Sequence, residues 1–251
     1  MKRLRVMMTR REIVPENLPG STVVVLDVIL ATTTLVTIFE NGARKVFVAG
    51  SVEESERICA PLDASTLIRG GEQGGFMVED FDLGPLPEEY PPEVVSGKDV
   101  VFVTTNGTRA LAASSEADKV LVGSMRNAPA VGRYLDSIET DTAYLVCAGS
   151  RGHFGMEDFA GAAEIISHMN TENWKLGDSA LLALDFAERH DGNPLEAVSR
   201  GRAGKWFSEA GYEKTLRYAA EVGASEAVPE LKDDLLHLVE EVEDARSGSR
   251  K

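Results

Sequence analysis

Asp27 closes the run Thr22-Val23-Val24-Val25-Leu26, and a carboxylate ending an apolar segment must be solvated, paired or bound to a cation. Hydroxyl residues follow at once in Ala31-Thr32-Thr33-Thr34. Two more apolar runs end in a similar way. Val100–Val103 leads into Thr104-Thr105-Asn106-Gly107-Thr108-Arg109, and Ala143–Val146 leads into Cys147-Ala148-Gly149-Ser150-Arg151-Gly152-His153. Small, hydroxylic and glycine residues at three such ends, with an arginine at two, suit a small oxyanion such as phosphate, carboxylate or sulfonate. Each piece also has a plainer reading: Thr32–Thr34 as helix cap and β-branched filler, and Thr105–Thr108 as a turn opening a helix. Glu72 lies within Arg69-Gly70-Gly71-Glu72-Gln73-Gly74-Gly75, either where backbone approaches a ligand closely or in a flexible acidic turn.

Other routes fail on spacing. A thiol phosphatase loop needs an arginine six residues after its cysteine, and that position after Cys147 is His153. A haloacid-dehalogenase-type nucleophile needs an aspartate two residues beyond the first, where this chain has Ile29. The four histidines show no metal-ligand spacing. Glu157 and Asp158 sit where a first helical turn favours negative charge, and Arg200 and Arg202 read either as surface charges or as a clamp.

The elements that position these residues follow from periodicity. Buried-strand runs at 22–27, 45–49, 100–104, 119–122 and 142–147 alternate with helical stretches near 31–41, 52–60, 107–115, 127–137 and 156–169. A first strand lies within Met1–Arg10. This alternation predicts βαβ units and a three-layer α/β/α domain with a largely parallel sheet. A strand, hydroxyl turn, helix and strand ending in Gly-Ser occurs at 23–51 and again at 100–124, which suggests an internal βαβ duplication. Residues 61–98, with five prolines, read as a functional loop or an excursion of the sheet. From about 171 to 245 the pattern predicts a helical cap with an acidic end over Leu231–Glu243, all within one domain of residues 1–245. A flexible tail is expected at 246–251.

A chain of 251 residues can bury one sizeable core. With 26 Lys+Arg against 41 Asp+Glu, a charge of −15 repels polyanions, so nucleic acid is not an expected partner. No apolar run is long enough for a membrane span. Two cysteines make no disulfide framework, which points to the cytoplasm. Oligomeric state leaves no sequence signal.

Taken in order, Val25-Leu26-Asp27-Val28 with Ala31–Thr34, Gly71–Gly75, Phe81-Asp82-Leu83-Gly84, Thr104–Leu111, Val122-Gly123-Ser124, Val146–Gly149 with Glu157-Asp158, and Ala227-Val228-Pro229 resemble the 2-phosphosulfolactate phosphatase family. The resemblance implies an α/β/α phosphoric monoester hydrolase. Its substrate would be a small phosphorylated organic acid, 2-phospho-3-sulfolactate, converted to 3-sulfolactate and phosphate on the way to coenzyme M or to sulfolactate itself. It also implies Mg²⁺, since monoester hydrolysis is among the slowest uncatalysed reactions. Asp27 and Glu72 would be the catalytic carboxylates and metal ligands. Thr32, Thr33, Thr104, Thr105, Asn106, Gly107 and Thr108 would cradle phosphoryl oxygens, with Gly149 and Ser150 adding to the site and Arg109 and Arg151 binding the acid groups. The chain departs from the family at Leu30, usually arginine, at Ser179 after Asp178, usually aspartate, and at Pro85-Leu86-Pro87, usually Asn-Ser-Pro. A phosphatase for another 2-phospho-hydroxy acid and a non-catalytic phospho-acid-binding paralogue are the competing readings.

Overall fold

The computed structural model describes residues 1–239. Its strands are β1 (Lys2–Met7), β2 (Ser21–Leu26), β3 (Lys45–Ala49), β4 (Leu67–Gln73), β5 (Phe76–Met77), β6 (Asp99–Val103), β7 (Lys119–Gly123), β8 (Thr142–Cys147), β9 (Trp174–Leu176), β10 (Pro229–Lys232) and β11 (Leu235–Leu238). Helices are α1 (Ala31–Glu40), α2 (Val52–Cys59), α3 (Pro92–Val95), α4 (Asn106–Ala113), α5 (Ala128–Ser137), α6 (Met156–Ser167), α7 (Asp178–Arg189), α8 (Pro194–Ser199), α9 (Arg202–Glu209) and α10 (Glu213–Ala219). The strands form one sheet in the order β5-β4-β6-β3-β11-β10-β7-β2-β8-β1-β9. It is parallel except where β5 and the β10–β11 hairpin pair, so the fold is the expected mixed α/β arrangement.

Central strands are apolar throughout because both faces are covered. In β2, Val24 and Leu26 enter a core shared with α5, α6 and α7, while Val23 and Val25 enter a second core around α1. Every residue from Ala31 to Phe39 of α1 is buried, and α1 packs against both β3 and β7. That placement sets the geometry of the molecule. In a flat sheet the ends of β6 and β2, five positions apart, would stand about 24 Å from each other. Accumulated twist wraps the sheet around α1 instead, and the Gly107 amide after β6 reaches the Asp27 carboxylate after β2.

Pairing follows the sequence echo. The first strand of one copy pairs with the second strand of the other, β2 with β7 and β6 with β3, all parallel. Between these pairs lies a correction to the sequence reading. Helices α7 to α10 fill 178–219, but the helical reading of 171–245 fails at β9, β10 and β11, and the acidic end is a hairpin over 229–238. Leu231 and Leu236 pair across the hairpin and point into the α1 core. Leu231, Leu235 and Leu238, at i, i+4 and i+7, fit a helical face equally well. The open edges of β3 and β7 decide the outcome by supplying backbone partners on both sides. Residues 240–245 of the expected domain and the expected tail lie outside the described residues.

Candidate active site

Asp27 is held by its own turn. Its amide donates to Thr32 Oγ1 (3.0 Å), the Thr32 amide donates to the Asp27 carbonyl (2.9 Å), and Thr33 Oγ1 donates to the Val28 carbonyl (2.8 Å). The hydroxyls of Thr32 and Thr33 are thus spent on the turn, and all three threonines of the run are fully buried. What remains for chemistry is the Asp27 side chain, 7% exposed, with the Gly107 backbone beside it. Burial, then the nearby charges of Glu72 and Glu157, push this carboxyl up to about 7, against the opposing pull of Arg10 and the Gly107 amide.

Glu72 arrives on β4, which presses against β6. Gly71 adopts φ +117°, and a Cβ there would lie 2.0 Å from the Val103 carbonyl oxygen, so only glycine permits the approach. At the strand end Glu72 Oε1 accepts the Thr105 amide (2.6 Å). Its Oε2 accepts the Gly75 amide (2.6 Å) and the Thr105 hydroxyl (3.2 Å). Glu72 therefore ties the tip of β4 to the start of α4. The expected loop at 61–98 is in part this strand, an excursion of the sheet rather than irregular chain.

The β8 end supplies two further buried carboxylates. Asp158 accepts the Val28 amide on Oδ1 and the Gly149 amide on Oδ2, both at 2.8 Å, locking the ends of β2 and β8 together. Burial first, then Asp27 and Glu157, raise its pKa well above the carboxylate range. Glu157 is 4% exposed and its Oε2 has no hydrogen-bond partner. Burial raises its pKa too, while its own amide, Arg202 and the Met156 amide favour the charged form. Cys147 lies fully buried behind them, its thiol pushed up by burial and then by the Asp158 and Glu157 charges, in keeping with the thiol route failing.

Of the expected oxyanion residues, Thr105, Asn106 and Gly107 open α4 beside Asp27, and Arg109 extends from its first turns, exposed. The Thr108 hydroxyl donates to the Thr104 carbonyl and so braces the helix start. Thr104 is buried, with its methyl 3.4 Å from the position a Gly107 Cβ would take. Gly149 serves Asp158, and the half-buried Ser150 and exposed Arg151 belong to the turn that follows. Of the residues where the sequence departs from the family pattern, Ser179 Oγ accepts the Val6 amide at 3.1 Å, and the Pro85 carbonyl accepts the Thr34 hydroxyl at 2.7 Å.

Sequence reasoning missed Arg10 and gave Glu157 and Asp158 too small a part. Arg10 reads as the basic end of a first strand, yet its Nη1 donates to the Ala148 carbonyl at 2.8 Å and its charge acts on Asp27. Glu157-Asp158 carries a dipole signal that every acidic first turn shares, and only burial separates them from the rest.

Buried carboxylates, a helix start beside them and guanidiniums close by suit phosphoryl transfer, because its catalysis is chiefly positioning and electrostatics. The class of protein is a phosphoric monoester hydrolase. Comparison with known proteins gives the particular family: the model for 2-phosphosulpholactate phosphatase matches residues 7–234, and the chain belongs to that family. Similar proteins, each named probable 2-phosphosulfolactate phosphatase, include that of Caldanaerobacter subterraneus subsp. tengcongensis, 31% identical over 91% of this chain and 95% of its own length. That of Symbiobacterium thermophilum is 33% identical over 90% and 97%. That of Clostridium perfringens is 35% identical over 90% and 92%.

Proposed function

We propose that this chain hydrolyses 2-phospho-3-sulfolactate to 3-sulfolactate and phosphate with Mg²⁺ as cofactor. The observation that carries the reading is Asp27, buried at the meeting of three strand ends, under the Gly107 amide and beside two more carboxylates. In the reaction water adds to phosphorus, the bond from phosphorus to the C2 oxygen breaks, and that oxygen leaves with a proton as the hydroxyl of 3-sulfolactate.

A hard dication fits the donors present. Asp27 and Glu72 would hold it, and the buried, unpartnered Oε2 of Glu157, whose charge reaches Asp27, marks a region short of positive charge. Among the described residues no group of three or more His, Cys, Asp or Glu forms a metal cage, and Mg²⁺ commonly takes only one or two carboxylates together with water and phosphate oxygens. When bound it neutralises charge on the phosphoryl oxygens. The amides of Asn106 and Gly107 receive those oxygens while the Thr105 amide holds Glu72, Thr32 and Thr33 fix the Asp27 turn, and Arg109 and Arg151 bind the carboxylate and sulfonate. The reading includes a cytoplasmic location, in keeping with two free cysteines, and a role in making sulfolactate or coenzyme M. No helix among the described residues is long and apolar enough to cross a membrane.

Phosphate release from 2-phospho-3-sulfolactate and from 2-phospholactate, each with Mg²⁺ and with EDTA, tests the proposal. It expects Mg²⁺-dependent release that favours the sulfonate. Equal rates on both substrates would move the function to a broader 2-phospho-acid phosphatase, and release from neither would refute it.

A further inference from the structure

One short loop gathers guanidiniums from three distant parts of the chain. Between β8 and α6, Ser150 and His153 exchange two backbone hydrogen bonds of 3.0 Å, closing a tight turn on Arg151 and Gly152. Both central residues have positive φ, +52° and +77°, the pattern of a type I′ turn, where asparagine, aspartate or glycine is the usual first residue. An arginine held in this left-handed conformation is uncommon, and strained backbone of this kind collects at functional sites. The same loop holds three other arginines. Arg10 donates to the Ala148 carbonyl at 2.8 Å and Arg202 to the Ser150 carbonyl at 3.5 Å. Arg11 lies flat on Gly152, so close that a Cβ there would stand 2.3 Å from its Nη2 and 2.6 Å from its Cζ.

Among the described residues, none of Arg10, Arg11, Arg109, Arg151 and Arg202 forms an ion pair. This is unusual in a protein with 41 acidic residues and a net charge of −15. Burial, then the charges of Arg109 and Arg11, lower the Arg10 pKa against the opposing pull of Asp27. Like charges gathered with no ion pair among them, Arg10 feeling only the negative charge of Asp27, favour an anion, and planar guanidiniums suit flat or tetrahedral acid groups.

Resting on the phosphatase reading, we propose that Arg10 and Arg11, seated on the Ala148–His153 loop, are specificity-determining residues that bind the substrate's non-reacting acid groups beside Arg151. Phosphoryl oxygens go to the α4 amides at Asp27, and the sulfonate and carboxylate go to the arginine loop. Gly152 is a positioning residue, because its missing side chain is the seat of Arg11.

Calorimetric binding of 3-sulfolactate, which carries both acid groups and no phosphate, and of inorganic phosphate to the full chain tests this directly. Arg11→Met is expected to weaken 3-sulfolactate binding about 10- to 100-fold, the loss of one charge-assisted hydrogen-bonded pair, and to change phosphate binding less than about 2-fold. Gly152→Ala keeps the arginine but both strains the turn at φ +77° and displaces Arg11, so its 3-sulfolactate binding is expected to fall at least as far as that of Arg11→Met. Unchanged 3-sulfolactate binding in Arg11→Met, an equal loss for both ligands, or no binding of 3-sulfolactate by the unaltered chain overturns the proposal. Arg11-dependent binding of 3-sulfolactate without phosphate release from 2-phospho-3-sulfolactate would refute the phosphatase reading and leave the arginine subsite standing. Phosphate release with the same kcat/KM in Arg11→Met would do the reverse.

Discussion

Replacing Asp27 with asparagine keeps the shape of the side chain and removes its charge. The carboxyl is raised from its ordinary 3.8 to about 7, so between these values the folded state holds a proton that the unfolded state has released. Stability from this group is complete below pH 3.8 and is lost as pH rises through 7. At 1.36 kcal/mol per pH unit the full loss is about 4 kcal/mol at pH 8. Asp27→Asn does not incur that loss. Urea denaturation should therefore find the variant more stable than the unaltered chain at pH 8 without divalent cation, with its midpoint higher by about 1.3 M at an m-value of about 3 kcal/mol per M. At pH 4 the two midpoints should converge. Phosphatase activity should be lost, since the variant gives up the charge around which the site is built, a trade of stability against function. A variant no more stable than the unaltered chain at pH 8 would refute the reasoning, because Asp27 would then be adequately compensated and its raised pKa illusory.

Asp158→Ala strips the acceptors from the Val28 and Gly149 amides. It should cost about 2–4 kcal/mol in urea denaturation, because two buried N–H groups lose their partners. Leu236→Ala removes a fully buried side chain from the centre of the sheet and should cost about 2–5 kcal/mol, whereas a surface helical cap would lose well under 1 kcal/mol. Mg²⁺ should stabilise the unaltered chain at pH 8, read as a rise in melting temperature reversed by EDTA, and should leave Asp27→Asn much less affected; an equal rise in both removes Asp27 from the cation site.

A net charge of −15 opposes an anionic substrate, and the mouth of the site reverses the local sign. Arg10 and Arg202 donate to carbonyls of the loop that carries Arg151, and Arg11 and Arg109 lie near Arg10, while Asp27, Glu157 and Asp158 are buried. Such an arrangement concentrates the field at short range, where low-dielectric walls preserve it. An acidic surface of this kind disfavours polyanions over the molecule as a whole.

The strand-and-helix alternation, the apolar runs buried on both faces and the convergence of hydroxyl-rich turns at strand ends were legible in the sequence, because they depend on local periodicity and composition. So was Asp27, whose charge has no local reason to end an apolar run. The β10–β11 hairpin was not legible: leucines at 231, 235, 236 and 238 satisfy either period, and the open edges of β3 and β7 exist only once the sheet has formed. Glu157 and Asp158 look like any acidic first turn until burial singles them out. Arg10 and Arg11, more than a hundred residues from Ala148 and Gly152, had no local signal at all. The tertiary structure alone decided which charges meet. Wrapping the sheet around α1 joins ends five strands apart, and the interaction of two charges depends on their separation in space and not along the chain.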